Sequence, residues 1–94
     1  MQAYVYIMAS APYGTLYVGV TTHLKKRVWQ HKTKVDSTCF TAKYEVLNLV
    51  YFEISQSIQS AIKREKQLKR WRRSWKIELI EKVNLDWRDM YYSI

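Results

Sequence analysis

The sequence predicts one α+β domain, in which a small three-stranded antiparallel sheet is flanked by three helices in the order β-β-α-β-α-α. Its 94 residues can build one hydrophobic core but not two. Two β-rich runs near the N-terminus are separated by a turn sequence, and three later segments carry apolar residues at helical spacing. A nearly all-apolar run of strand length lies between the first two of those segments. Because no repeat or linker divides the chain, residues 1–94 are predicted to form a single domain.

The first two strands are predicted over residues 3–9 and 16–20. They form a β-hairpin, because the intervening residues 10–14 include a proline and a glycine, which favour a turn.

One face of this hairpin combines two phenols with bare backbone. Strand alternation places Tyr4 and Tyr6 on one face of the first strand, and Tyr17 on the same face of its strand as Gly19. A glycine weakens a strand interior, and one reason to keep it is the close approach of a ligand or another backbone. The alternative is a structural aromatic cross-strand pair with a β-bulge.

The first helix is predicted over residues 24–34, with Thr21 or Thr22 as its cap. Its apolar stripe consists of Leu24, Val28 and Val35. Arg27 and His31 lie one turn apart and flank or share this stripe, so polar groups stand where apolar ones are expected. The alternatives are an arginine that extends past its neighbours into solvent, and a core histidine with both nitrogens satisfied.

The middle of the chain is predicted to hold an irregular connection over residues 36–45 and the third strand over residues 46–54. Ser55 or Ser57 can cap the next helix, which runs to about Arg70. The inner stripe of that helix consists of Ile58, Ala61, Ile62 and Leu68.

The third helix is predicted over residues 74–83, with Asn84 as its stop and Trp87 packing back on the core. Its apolar stripe consists of Trp75, Leu79, Ile80 and Val83.

Glu65 places a carboxylate on the buried seam of the second helix, four residues after Ala61 and three before Leu68. Burying an unpaired charge costs several kcal/mol, so such a group needs a cation, a hydrogen-bond network or a metal. Lys69, one turn further on, offers an ordinary ion pair as the alternative.

The net charge of +8 and the pI near 9.7 indicate an anionic partner, with nucleic acid foremost and membrane phospholipid as the competitor. Eight basic residues and one acid occupy residues 63–76. The basic residues are Lys63, Arg64, Lys66, Lys69, Arg70, Arg72, Arg73 and Lys76. Trp71 or Trp75 could stack a base if exposed, but tryptophans at helical spacing are more often core, and we predict that placement.

Cys39 is the sole cysteine, which excludes an intrachain disulfide and a Cys/His zinc site and indicates a cytoplasmic protein. The first twelve residues lack a positive leader and a long apolar run. We expect no membrane span and infer no obligatory protein partner, while the oligomeric state stays open.

Several segments together resemble the GIY-YIG nuclease superfamily, in particular its small stand-alone bacterial members. Tyr4-Val5-Tyr6 stands in the place of the G-I-Y element and Tyr17-Val18-Gly19 in that of Y-I-G, and residues 24–31 are similar to the helix that follows. Later similar segments are residues 40–44, 49–53, 64–69 and 76–81. Tyr4 replaces the glycine of the first element, and a polar residue of many relatives, often asparagine, has no clear counterpart except Lys76.

The resemblance implies a divalent-metal-dependent site that cuts DNA phosphodiesters, as in excision-repair, homing and restriction nucleases. It assigns Tyr17 as general base, with His31 as the alternative proton acceptor or as the group that orients Tyr17. Arg27 would clamp the phosphoryl oxygens, and Tyr6 would bond the phosphate or the water. Glu65 would hold one hydrated Mg²⁺ or Mn²⁺. The expected DNA contacts are Gly19 and the eight basic residues of 63–76.

We therefore predict a DNA endonuclease with structure preference or weak specificity rather than a long recognition site, and the resemblance to relatives implies a role in repair or recombination. The first alternative is a nucleic-acid-binding module of the same fold that cuts weakly or not at all, suggested by Tyr4 and the missing polar residue. The second is a basic protein-interaction domain.

Overall fold

The computed structural model describes residues 2–94, so that Met1 of the predicted domain lies outside the described residues. The three strands are β1 (Ala3–Ala9), β2 (Leu16–Thr21) and β3 (Asn48–Ser55). The helices are α1 (Leu24–Lys32), α2 (Phe40–Lys43), α3 (Ile58–Arg70) and α4 (Arg73–Val83), followed by a 3-10 helix (Met90–Ser93). The predicted fold class and element order are confirmed, and α2 and the 3-10 helix are additions to them.

The sheet has the order β2-β1-β3, and both pairings are antiparallel. Because β1 is central, both of its faces are covered, and nearly all of its residues are buried. On one face Val5 and Ile7 pack with apolar residues of α3 and α4. On the other face Tyr6 and Met8 pack with Val28 of α1. The core is therefore split by the sheet into two halves.

The predicted start of α1 at Leu24 is confirmed, but its predicted cap and its predicted end at residue 34 were wrong. The N-cap residue is His23. Its backbone N–H donates to Oγ1 of Thr21, which precedes the helix. The helix ends at Lys32, so Val35 lies beyond it and is exposed. His31 takes the buried position that the prediction gave to Val35.

The connection predicted as irregular contains α2, which is a single helical turn. The backbone N–H of Val46 bonds the Thr41 carbonyl and closes this turn. Val46 is buried but lies outside β3. The strand begins at Asn48, two residues later than predicted.

The last two helices follow the prediction in part. Ser57 caps α3 by accepting a bond from the Ser60 N–H, and Asn84 and Trp87 are buried where the chain leaves α4. The predicted stripe residues Ile62, Trp75 and Val83 are exposed instead. Five residues correspond to about 140° around a helix, so Trp75 points away from the core that Ile80 enters.

Candidate active site

Tyr6 is seated against the bare backbone of Gly19, its register partner across the hairpin. A Cβ at Gly19 would lie 2.5 Å from both Cζ and Oη of Tyr6. The glycine is thus needed for the close approach of a side chain of the same protein. The aromatic-pair alternative describes part of the geometry, since the Tyr6 and Tyr17 rings lie 6.3 Å apart. The β-bulge that this alternative requires is absent from the β1–β2 pairing within residues 2–94. The register shift lies in the β1–β3 pairing instead, between Ile7 and Met8.

His31 joins Tyr6 to a third residue in the interior. The Tyr6 hydroxyl lies 3.0 Å from His31 Nε2, and Thr41 Oγ1 lies 2.8 Å from His31 Nδ1. The exposed fractions of Tyr6, His31 and Thr41 are 1%, 4% and 1%. His31 is therefore a core histidine with both nitrogens satisfied, as the structural alternative holds, and the same contacts connect it to Tyr6.

The electrostatic environment keeps this pair uncharged at neutral pH. Burial, assisted by the charge of Arg27, lowers the pKa of His31 from its ordinary 6.5 to about 4. Burial raises the pKa of Tyr6 to about 12, with a further increase from Tyr17 and a smaller one from Glu65, while Arg27 opposes the rise. A neutral phenol thus meets a neutral imidazole.

Arg27 and Tyr17 lie at the edge of this buried pair. Burial by itself would lower the pKa of the Arg27 guanidinium, but the neighbouring phenols of Tyr6 and Tyr17 raise it. The Tyr17 ring meets His31 edge-on, with 5.4 Å between ring centroids. Arg27 is exposed and donates to Gln30 Oε1 at 3.1 Å. A phosphate can therefore reach a cation that lies beside both phenols.

Glu65 is present near the pair but is already engaged. Its side chain is 14% exposed, and Oε2 lies 2.9 Å from Nζ of Lys69, whose side chain is 50% exposed. The ion-pair alternative is therefore observed. A pair of this kind stabilises a helix by only about 0.2–0.5 kcal/mol, so it does not prevent the carboxylate from taking a stronger ligand.

A metal ion can be accommodated here only with one protein oxygen ligand. Within residues 2–94, no three His, Cys, Asp or Glu side chains group closely enough to hold a metal ion. Mg²⁺ often takes one or two carboxylates and keeps several waters, and Mn²⁺ prefers the same oxygen ligands. Glu65 fits that limited role once Lys69 moves aside.

Two lysines border the exposed side of Tyr17. Lys69 of α3 and Lys76 of α4 line an open groove of about 300 Å³ together with Tyr17 and Phe40. Burial, and next the charge of Arg73, lower the pKa of Lys76. Lys76 thus lines the same groove as Tyr17.

Comparison with known proteins identifies the family. The model of the GIY-YIG catalytic domain matches residues 2–78. The chain belongs to the GIY-YIG family. A UPF0213 protein of Syntrophus aciditrophicus is 33% identical over 78 residues, which cover 83% of this chain and 88% of that protein. A UPF0213 protein of Desulfotalea psychrophila is 29% identical over 89 residues, which cover 95% of this chain and 80% of that protein.

A solved structure shows the same fold. The solution NMR structure of a UPF0213 protein from Bacillus halodurans has a TM-score of 0.57 and 24% identity, covering 96% of this chain and 94% of that one. The predicted resemblance to a small UPF0213-like GIY-YIG protein is thereby confirmed. In this GIY-YIG domain Tyr4, which replaces a glycine, lines a different groove with Phe52 and Ile54. The replacement leaves the contact between Tyr6 and His31 in place.

The basic residues of the GIY-YIG domain differ in how available they are for DNA. Arg64 bonds Glu53 at 2.8 Å, Arg73 donates to the backbone carbonyls of the hairpin turn, and Arg72 lies over the Trp75 ring. A groove on the outer face of α3 is lined by Lys63, Lys66, Gln67, Arg70 and Trp71. Contacts of all these residues with DNA, and of the buried Gly19, stay predictions.

Two residues of this site were not predicted from the sequence. Thr41 and Phe40 lie in α2, where Thr41 bonds His31 and Phe40 stacks on Tyr17 with 6.2 Å between ring centroids. The resemblance of residues 40–44 to the family was the signal that this segment matters, but it gave neither residue a role. No helix in residues 2–94 is both long and apolar enough to cross a membrane.

Proposed function

We propose that this GIY-YIG domain is a divalent-metal-dependent endonuclease that hydrolyses DNA phosphodiester bonds. The observation that supports this most is the convergence of Tyr6, Tyr17, Arg27 and His31 from three different elements, with Tyr17 lining one open groove and Arg27 and His31 lining a second. Convergence of this kind is what acid–base chemistry on a bound anion requires.

Hydrolysis of a phosphodiester needs an activated water and neutralisation of the charge that develops on the phosphoryl oxygens. Arg27 supplies that neutralisation, because its planar guanidinium can bind two oxygens at once and stays charged. Its exposed position admits the DNA backbone without burying the charge. Lys69 and Lys76 would contact phosphates flanking the bond to be cut.

Tyr17 acts as the general base in this proposal. Tyr17 lines the groove and is more exposed than Tyr6 and His31, so water and DNA meet Tyr17 first. Arg27 beside it stabilises the phenolate that the reaction needs. His31 is bonded to Tyr6 rather than to Tyr17, so it acts as a proton acceptor for Tyr6, which in turn bonds the water or the phosphate.

Glu65 is the residue that would hold Mg²⁺ or Mn²⁺. The ion, when bound, supplies charge stabilisation for the leaving oxygen. Lys69 has to leave Oε2 for this carboxylate to become available, and its half-exposed side chain is free to do so.

A second candidate function is a nucleic-acid-binding module of the same fold that cuts weakly or not at all. It is favoured by the Glu65–Lys69 ion pair, which occupies the carboxylate proposed for the metal. A role in DNA repair or recombination, in the cytoplasm, is the cellular setting that we propose for the nuclease.

The test is cleavage of duplex, nicked and branched DNA by the whole protein in the presence of Mg²⁺ or Mn²⁺. We expect Tyr17→Phe to lower the cleavage rate by ~10²- to 10⁴-fold, the usual contribution of a general base. Glu65→Ala should remove the metal-dependent part of the cleavage. Matched controls are Tyr92→Phe and Glu78→Ala, which change exposed residues of the same types.

Each outcome separates the alternatives. Equal cleavage by wild type and all variants indicates a contaminating nuclease and refutes the assignment. DNA binding without cleavage by the wild type supports the binding module instead.

A further inference from the structure

Thr41 makes a buried polar contact that the proposed mechanism does not use. Its hydroxyl lies 2.8 Å from His31 Nδ1, and only 1% of the residue is exposed. On the opposite side of the same ring, Nε2 lies 3.0 Å from the Tyr6 hydroxyl. Thr41 therefore meets the one imidazole nitrogen that Tyr6 does not.

A neutral imidazole carries one N–H donor and one acceptor nitrogen, so its two contacts cannot both be donated or both be accepted by the ring. In one tautomer Nδ1–H donates to Thr41 and Nε2 accepts the Tyr6 proton. In the other, Nε2–H donates to Tyr6 and Nδ1 accepts the Thr41 proton. The surrounding donors decide between them.

The neighbours of the two hydroxyls favour the first tautomer. Arg27 has only donors to offer and its positive charge acts on the Tyr6 phenol, which favours a Tyr6 oxygen that faces the cation and a Tyr6 proton directed at Nε2. On the other side, Cys39 Sγ lies 3.2 Å from Thr41 Oγ1 and can accept the Thr41 proton. In this arrangement each hydroxyl or ring N–H donates to the next residue, from Tyr6 to His31, from His31 to Thr41 and from Thr41 to Cys39.

We propose that Thr41 is a positioning residue, which holds His31 as the Nδ1–H tautomer so that Nε2 accepts the proton of Tyr6. Thr41 does not contact DNA and acts only through His31. The consequence for catalysis rests on the proposed nuclease function, because a Tyr6 oxygen whose proton is drawn toward His31 is the better partner for the water or the phosphate.

The experiment measures the tautomer in the free protein, without DNA or metal. Long-range ¹H–¹⁵N correlation spectra identify which nitrogen of a histidine carries the proton. The chain has two histidines, and His23→Asn assigns the signals of His31. We expect His31 to be the Nδ1–H tautomer in the wild type, and to populate the Nε2–H tautomer in Thr41→Val, which keeps the shape but has no hydroxyl.

Two variants complete the series. Thr41→Ser keeps the hydroxyl and should retain the wild-type tautomer. Thr38→Val is the matched control, because Thr38 lies in the same segment, is exposed, and bonds Asp36 rather than His31. In cleavage assays Thr41→Val should lower kcat by ~10- to 100-fold with little change in KM, which is the range found when the hydrogen-bond partner of a metal-ligating histidine is lost. Thr41→Ser should restore most of the rate.

The proposal is overturned if His31 in the wild type is the Nε2–H tautomer, or if Thr41→Val leaves the tautomer unchanged. The wild-type spectrum decides the first point even if Thr41→Val does not fold. Absence of cleavage by the wild type refutes the proposed function instead, and is distinguishable because the tautomer is measured without any reaction.

Discussion

Gly19→Ala should destabilise the protein, although alanine is ordinarily the better residue. The backbone of Gly19 is not in the left-handed region, so alanine could adopt it. Without a steric conflict the change would stabilise the fold by about 0.4–1 kcal/mol, because it restricts the unfolded chain. Here the new Cβ would lie 2.5 Å from the Cζ and Oη atoms of Tyr6, where about 3.5–4 Å is normal.

The conflict cannot be relieved cheaply, because the ring is confined on its far side. Tyr6 is 1% exposed, and its hydroxyl is held by His31 at 3.0 Å. A shift of about 1 Å would stretch that hydrogen bond and disturb the surrounding core. Overpacking of this kind costs about 1–3 kcal/mol, which outweighs the gain and leaves a net loss of roughly 1–2 kcal/mol.

Thermal unfolding followed by circular dichroism measures the effect of Gly19→Ala. One kcal/mol shifts Tm by about 4–8 °C in a domain of this size, so we expect a decrease of about 5–15 °C. The control is the same substitution in a Tyr6→Leu background, which lacks the ring atoms that clash and in which alanine should be neutral or stabilising. A Tm for Gly19→Ala equal to or above that of the wild type would show that the ring does not press on this strand.

Three further predictions concern charge and pH. Folding lowers the pKa of His31 from 6.5 to about 4. The contribution of neutral His31 to the free energy of unfolding should therefore be complete above pH 6.5 and decrease by roughly 3 kcal/mol as the pH falls toward 4. Urea unfolding across this range should show a shallower loss in His31→Gln. Lys76→Ala should reduce the slope of log Kd against log salt by about 0.9 on duplex DNA if it contacts one phosphate, and a salt response that is flat for the wild type would contradict the electrostatic account. Lys69→Met should free Glu65 and tighten Mn²⁺ binding, measured by electron paramagnetic resonance, whereas weaker binding would show that Glu65 is not the ligand.

The elements that could be predicted from the sequence are those with a strong local signal. The hairpin followed from period-two alternation around a proline- and glycine-containing turn, and α3 followed from a serine cap and an apolar stripe. The short helix α2 could not be predicted, since four residues are too few for a helical period to show. Trp75 was misplaced because residue type alone does not tell which side of α4 meets the core.

The contacts of the candidate site were only partly accessible to sequence reasoning. Tyr6 and His31 could each be proposed from the family resemblance, which linked His31 to Tyr17, whereas the structure bonds His31 to Tyr6. Thr41 has no distinguishing feature in a polar connection. Its partner is ten residues away, and only the folded position of α2 brings the two together. From the sequence, Glu65 could be either the partner in an ion pair or a metal ligand. The ion pair with Lys69 is observed, and the role as metal ligand stays a prediction.

The candidate site combines a buried, uncharged interior with a charged edge that is more exposed, and solvation explains this division. Tyr6 and His31 can be buried because both are neutral and fully hydrogen-bonded, whereas a buried guanidinium or ammonium would cost several kcal/mol without a partner. Arg27, Lys69 and Lys76 therefore remain at the surface or only partly buried. A DNA phosphate would be a further partner for these cations, of which Arg27 already donates to Gln30 and Lys69 already pairs with Glu65, and it would bind next to an interior that is already in place.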